Sequence, residues 1–291
     1  MGNLRNYFYK ILGLLTVFFK YSSKNNLRVL AYHDIKDEEL FKKHLKYLKE
    51  NFNIISIEVL SQHLLKNNPL PPYSLLITFD DGDVSVLEKG LPVLGQLEVP
   101  SCLFIITGLI NTENDFWFNA VRKKEKLNGK SKQEIESLMN RLKGLRNVER
   151  VDEIKKYNFP AQKQLTSHDL RDLKAGKVFI ANHSHTHPMF DKCSRNELRE
   201  EFKMTSLKFR EFQLEQGYQF FAYPNGSWDN ASEEVLQEMG IKMAFLFDHK
   251  LNEKIINPYR ISRIRTNSDM SLDELKVKVS GLHSFLQKIK N

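Results

Sequence analysis

Short, nearly continuous apolar runs alternate along this chain with charged stretches of helical spacing, and that rhythm restricts the fold more than any other feature. The runs at 27–32, 75–79, 102–107, 178–182, 220–223 and 243–247 each suit a strand, and 260–265 suits one more. Strands separated by helices imply βα units and a largely parallel sheet. Ser74-Leu75-Leu76-Ile77-Thr78-Phe79 is almost wholly apolar, as a strand covered on both faces requires. The stretches 41–51 and 197–215 set apolar residues three and four apart, which predicts helices. Leu198, Phe202, Leu207, Phe209 and Phe212 supply the apolar face of the second.

Between about 112 and 165 the character changes. This stretch is rich in Lys, Glu and Asn and carries a weaker helical pattern at Ile135, Leu138, Met139 and Leu142. It reads as a helical insertion covering one rim of the sheet, placed to act as a lid. The expected organisation is one domain over 27–291 carrying this excursion, preceded by a helical segment at 1–26. A chain of 291 residues can bury a core of that size.

Composition narrows function mainly by exclusion. The net charge of +8 arises from 44 Lys and Arg against 36 Asp and Glu, but the bases are interspersed with acids, as in Arg122-Lys123-Lys124-Glu125-Lys126. No basic stripe interleaved with aromatics occurs, so nucleic acid is not the expected partner. Two cysteines, Cys102 and Cys193, lie far apart without metal-type spacing, which argues against a disulfide framework. Residues 7–19 are apolar except for Lys10 and Thr16. That run is shorter than the roughly 20 apolar residues of a membrane-spanning helix, and no small-residue cleavage site follows it. The expectation is a helix that packs on the domain or lies on a membrane surface, in a cytoplasmic or inner-membrane-associated protein, with periplasmic anchoring as the alternative.

Two motifs carry chemistry. Thr78-Phe79-Asp80-Asp81-Gly82 ends the most apolar strand with adjacent carboxylates, which are costly there unless a cation or proton compensates them. Neighbouring side chains at a strand end can point to different places, so one carboxylate can bind a metal while the other stays free as a base. A helix N-cap is the structural alternative. The second motif is Asn182-His183-Ser184-His185-Thr186-His187-Pro188, after the strand at 178–182. Three histidines in five residues are poor core filler and good metal ligands. His183 and His187 are spaced so that one turn brings both rings to one point. With one aspartate they would form an open three-ligand site of a hydrolytic metal; three histidines without aspartate is the rival set.

In these two motifs, and in their order, the chain resembles the NodB-homology polysaccharide deacetylases, carbohydrate esterase family four, over about 27–266. The resemblance implies a distorted (β/α)7-type barrel. It implies Asp80 as catalytic base and Asp81, His183 and His187 as ligands of a divalent metal, zinc first, with cobalt, nickel, manganese or iron able to replace it. Ala222-Tyr223-Pro224-Asn225-Gly226 resembles the family's third motif, with Asn225 where an aromatic is usual. Tyr223 and Asn225 are therefore expected at the substrate and oxyanion, through a backbone N–H. The arginine that usually precedes this motif is absent, and Arg263 is the candidate to orient the base in its place. The family's late histidine has no clean match. Tyr32-His33 resembles instead the opening of a permuted branch that includes poly-N-acetylglucosamine deacetylases, which makes His33 the expected general acid. The implied activity is removal of N-acetyl groups from amino sugars of a cell-surface or lipid-linked glycan. An O-acetyl esterase and a non-catalytic glycan-binding descendant are the alternatives. Oligomeric state is not legible.

Overall fold

The computed structural model describes residues 2–157, 161–253 and 255–290. Its centre is an eight-stranded sheet whose named pairs are all parallel: β1 (Arg28–Tyr32), β2 (Asn53–Ile54), β3 (Ser74–Phe79), β4 (Ser101–Ile105), β5 (Val178–Asn182), β6 (Phe220–Ala222), β7 (Met243–Phe245) and β8 (Ile264–Arg265). The order is β7-β6-β5-β4-β3-β1-β8, with β2 on the first residues of β3 and β4 on its last two. The two-residue β2 leaves no periodicity to read in the sequence. Hydrogen bonds from Leu246 N–H to Ile261 O (2.7 Å) and His249 N–H to Arg263 O (2.8 Å) join the end of β7 to the segment that becomes β8. Since β8 pairs with β1, the sheet curls round into the distorted barrel.

Period-two alternation decides what faces inward. Val29, Leu76, Cys102, Phe104, Ala181, Ala222 and Phe245 meet in one buried cluster, while Leu30, Tyr32, Leu75, Ile77 and Phe79 pack against the surrounding helices in another. Extending the inward set past the strand ends gives His33, Asp80 and His183. The register Tyr32↔Phe79 and Ile105↔Asn182 sets these ends at one rim, the C-terminal end of a parallel sheet.

Helices cover the outside. Glu38–Asn51 is capped by Asp37, and Arg195–Glu211 starts at a Ser194/Glu197 capping box. The excursion between β4 and β5 holds three helices before β5's own lead-in helix: Trp117–Leu127, Lys132–Gly144 and Asn147–Ile154. An antiparallel bridge between Asn114 and Ala161 closes its neck. Phe116, Trp117, Val121, Ile135, Met139 and Leu142 form its own small core, which reaches the barrel through Ile106 and Met189. The helices Gly2–Leu12 and Thr16–Ser22 pack on Leu272–Ser280. Among the described residues no helix is long and apolar enough to cross a membrane.

Candidate active site

The strand ends converge on a cavity of about 90 Å³ lined by His33, Asp80, Asp81, Phe116, Phe118, His183, His187, Tyr223, Asn225, Gly226, Phe247 and Arg263. Every residue singled out above for the site lies in this lining.

Asp80 is buried and bound by both arms of a fully buried Arg263, with Nη1 to Oδ1 at 2.7 Å and Nη2 to Oδ2 at 2.8 Å. Arg263 Nε donates to Leu246 O at 2.8 Å and Nη1 reaches Thr78 Oγ1 at 3.3 Å, so the guanidinium is fixed in its plane. Burial works to raise the Asp80 carboxyl, but the charge and hydrogen bonds of Arg263 outweigh it and hold the pKa below its ordinary value. The arginine thus lies just before β8, which closes the barrel, 37 to 41 positions beyond the third motif's Ala222-Gly226 in sequence order.

Asp81 points away from its neighbour because its backbone turns left-handed, at φ 69°, followed by Gly82 at 79°. Its Oδ1 lies 3.4 Å from His183 Nε2 and 3.5 Å from His187 Nε2. A tetrahedral ion with bonds of ~2.0–2.1 Å separates its ligand atoms by about 3.3 Å, so both of these separations suit one, and the three ligand atoms lie within 4.8 Å of one another. His183 Nδ1 donates to Ala222 O at 2.8 Å, which fixes the tautomer and leaves Nε2 as a lone pair aimed at the centre. Among the described residues Asp81 Oδ1 is buried without a hydrogen-bond partner, as an atom reserved for a cation would be. Burial, aided by the neighbouring His183, lowers His187 to about 3, which keeps it neutral. For His183 burial acts downward, and the Asp80 and Asp81 charges more than reverse it. Asp81 is held well below the usual carboxylate range, His183 and His187 overcoming the opposing effect of burial. Two imidazoles and a carboxylate are a donor set that suits a divalent metal, and a proton on His183 would have to leave as the ion bound.

The His183–His187 loop is held by residues that motif reading missed. Asn182 Oδ1 accepts from Ser184 N–H (2.7 Å), and Ser184 Oγ accepts from His187 N–H (3.0 Å). Glu201 Oε2 accepts from the amides of His185 and Thr186, both at 2.9 Å, while its other oxygen accepts from the Thr186 hydroxyl. These bonds stabilise a loop in which Ser184 (φ 70°) and His187 (φ 57°) are left-handed. Glu201 sits on the inner side of Arg195–Glu211 among many surface acids, so nothing in the sequence marks it. His185 turns aside to Thr107 Oγ1, at 3.0 Å, and is not among the three ligand atoms.

Across the cavity, His33 packs edge-on to Phe247 at 5.5 Å and has no hydrogen-bond partner among the described residues. His249 and His283 line neither this cavity nor the groove beside it. Tyr223 is fully buried, and its hydroxyl has no hydrogen-bond partner among the described residues. Its N–H is spent on Phe245 O at 3.0 Å, which leaves the oxyanion role expected of this motif to the next free amide, at Asn225. Asn225 is left-handed (φ 55°), and Gly226 beside it has no room for a side chain: a Cβ would lie 2.9 Å from Phe247 N. The insertion closes the remaining side, with Phe116 edge-on to His187 at 4.7 Å and Lys143 Nζ donating to Asn225 Oδ1 at 2.8 Å.

A curled parallel barrel thus sets a buried carboxylate–arginine pair beside an Asp-His-His group that could hold a metal ion. The polysaccharide deacetylase family profile matches residues 67–244, and the chain belongs to that family. The chain is similar to the poly-beta-1,6-N-acetyl-D-glucosamine N-deacetylase of Staphylococcus aureus strain MSSA476, at 23% identity over 218 residues, which are 75% of this chain and 62% of that protein. The match thus spans under two thirds of the relative's length. Among solved structures it is similar to IcaB from Ammonifex degensii (TM-score 0.65, 18% identity, 89% of this chain and 97% of that one). It is likewise similar to the Streptococcus pyogenes deacetylase PplD in complex with acetate (TM-score 0.62, 18% identity, 90% and 97%). These likenesses agree on the barrel.

Proposed function

We propose that this chain hydrolyses N-acetyl groups on the amino sugars of a cell-surface or lipid-linked polysaccharide, with a divalent metal held by Asp81, His183 and His187. The observation that carries this is the pairing of Asp80 with Arg263 immediately beside the three convergent ligand atoms. Zinc suits two imidazoles and a carboxylate best. When bound, the ion supplies Lewis-acid polarisation of the acetyl carbonyl.

The protein's own groups supply the rest. Asp80, kept ionised by Arg263, accepts a proton from the attacking water as general base. The amide of Asn225 donates to the developing oxyanion; one such donor is worth ~3–4 kcal/mol. His33, facing Asp80 across the cavity, protonates the departing nitrogen. The products are acetate and a free amino sugar. The name of the staphylococcal relative supports an N-acetylglucosamine polymer as substrate.

A membrane surface is the partner we assign to the terminal helices. Tyr7, Ile11, Leu14, Phe18 and Tyr21 recur at helical spacing and are exposed, Leu14 at 83%. No Asp or Glu occurs before Asp34, while Lys10, Lys20 and Lys24 do. Such a face suits anionic lipid. This supports a protein docked at a membrane, inner or cytoplasmic.

The test is acetate release from short N-acetylglucosamine oligomers by metal-stripped protein, with and without added zinc. Zinc-restored release that Asp80→Asn abolishes is expected. Release that survives metal removal would overturn the assignment, and release only from O-acetylated sugars would make the chain an esterase.

A further inference from the structure

The catalytic cavity opens into a groove of about 910 Å³ walled on one side by the insertion. Its charges are unevenly matched. Lys36, Lys123 and Lys163 pair with Asp34, Asp115 and Glu88 at 3.6, 2.8 and 2.6 Å, and Arg122 takes both oxygens of Glu136 at 2.6 and 3.0 Å. Asp83 is tied by the amide and hydroxyl of Ser85 and keeps its charge without meeting a cation at ion-pair distance among the described residues. Among the described residues, Lys89, Lys143 and Arg265 are left in the lining with no carboxylate within ion-pair distance. Lys143 stands at the junction of groove and cavity. Its ammonium donates to Asn225 and lies 4.8 Å from the centre of the Phe118 ring, while Arg122 covers the same ring at 4.6 Å. Burial, and then the nearby Arg122 charge, lower the Lys143 pKa from its usual value; Glu136, itself held by Arg122, opposes them without reversing the shift, and Arg265 adds to it. A half-buried cation gathered with like charges is unfavourable unless something negative joins it.

A neutral N-acetylglucosamine chain offers nothing negative, and each deacetylation adds a positive amine beside Lys143. We propose that the glycan taken by this groove is anionic: a carboxylate or phosphate substituent on the sugar next to the acetamido unit sits against Lys143, between Arg122 and Arg265. This rests on the deacetylase assignment for the position of the acetamido group but not for the charge preference. Lys143 is then a specificity-determining residue, and its bond to Asn225 couples the occupied groove to the oxyanion side of the cavity.

The test uses three oligomers differing only in charge: an N-acetylglucosamine tetramer, the same tetramer with one primary alcohol oxidised to carboxylate, and the same tetramer phosphorylated there. Equilibrium binding is measured with metal-loaded wild type and Asp80→Asn chains, and acetate release with wild type. At low salt, about tenfold tighter binding of one or both charged oligomers is expected; which one binds separates uronate from phosphate. Lys143→Gln keeps a donor for Asn225 and removes the charge. The preference should fall to threefold or less in that variant and shrink with added salt. Equal binding of all three oligomers would overturn the proposal, as would a preference that Lys143→Gln leaves intact. Charged-oligomer binding without acetate release would instead count against the deacetylase assignment alone.

Discussion

Asp80 and Lys143 line connected spaces, and each meets one principal polar partner, yet they are held in different ways. Asp80 ends a strand whose neighbours are hydrogen-bonded on both sides, and its partner Arg263 is itself pinned by Leu246 O and Thr78. Lys143 ends an inserted helix whose core is small and separate, and a single bond ties it to Asn225. Pairing and inward parity of the barrel strands allow little latitude at the first position. The second can shift or be replaced while the barrel stands. On the proposed function, the barrel rim carries the chemistry, which tolerates little displacement, and the insertion carries selection, which can vary.

The largest expected effect lies on the barrel side. Asp80→Asn should cut turnover by ~10²–10⁴-fold, the usual worth of a general base, while zinc content by atomic absorption stays at one per chain. Loss of zinc together with activity would show that the two aspartates share the metal. The pH profile follows from the Asp80 carboxyl, whose folded pKa lies below its ordinary value. A depressed carboxylate contributes stability that is present above its unfolded pKa and is lost as pH falls through the folded one. Turnover and the Asp80–Arg263 contribution should therefore persist at mildly acidic pH. An activity loss centred near neutrality would show that a group other than Asp80 limits turnover.

Next is the partner. Arg263→Met leaves Asp80 buried without its cation, and breaking such a pair costs about 3–5 kcal/mol. Urea denaturation should show that loss, with turnover falling in parallel. A variant as stable as the parent would mean that water had replaced the guanidinium. On the insertion side, Met139→Ala removes a fully buried side chain and should cost ~2–5 kcal/mol. It should appear as early proteolysis within 112–165 while zinc remains bound. If zinc were lost with it, the two regions would be one cooperative unit and the comparison would fail.

What the sequence discloses divides along the same line. The βα rhythm and the spacing of His183 and His187 are local, so a largely parallel sheet and a metal-ligand cluster can be read without a structure, while the curled barrel and the division of roles between Asp80 and Asp81 come from the family resemblance. Arg263 is reachable only by asking what could orient Asp80, because its partner lies 183 residues away. Glu201 and Phe116 escape altogether: one is an acid on an amphipathic helix, the other an aromatic in an insertion, and their roles arise from long-range packing. The three helices of the insertion blur into one weak pattern because their apolar faces are narrow and share a core of few residues.

The smallest effect is expected at Phe118, whose ring carries Arg122 and Lys143 and lines the cavity without touching Asp80 or the three ligands. A cation–π contact at a partly exposed site is worth ~0.5–1 kcal/mol, so Phe118→Ala should release the two cations without unfolding the insertion. KM for an oligomeric substrate should rise several-fold, while kcat changes less than twofold and zinc content stays the same. That split is the signature of a residue that binds ground state and transition state alike. If kcat fell instead with KM unchanged, Phe118 would be acting on the reacting atoms through Lys143 and Asn225. The insertion would then belong to the chemistry as fully as the barrel rim does.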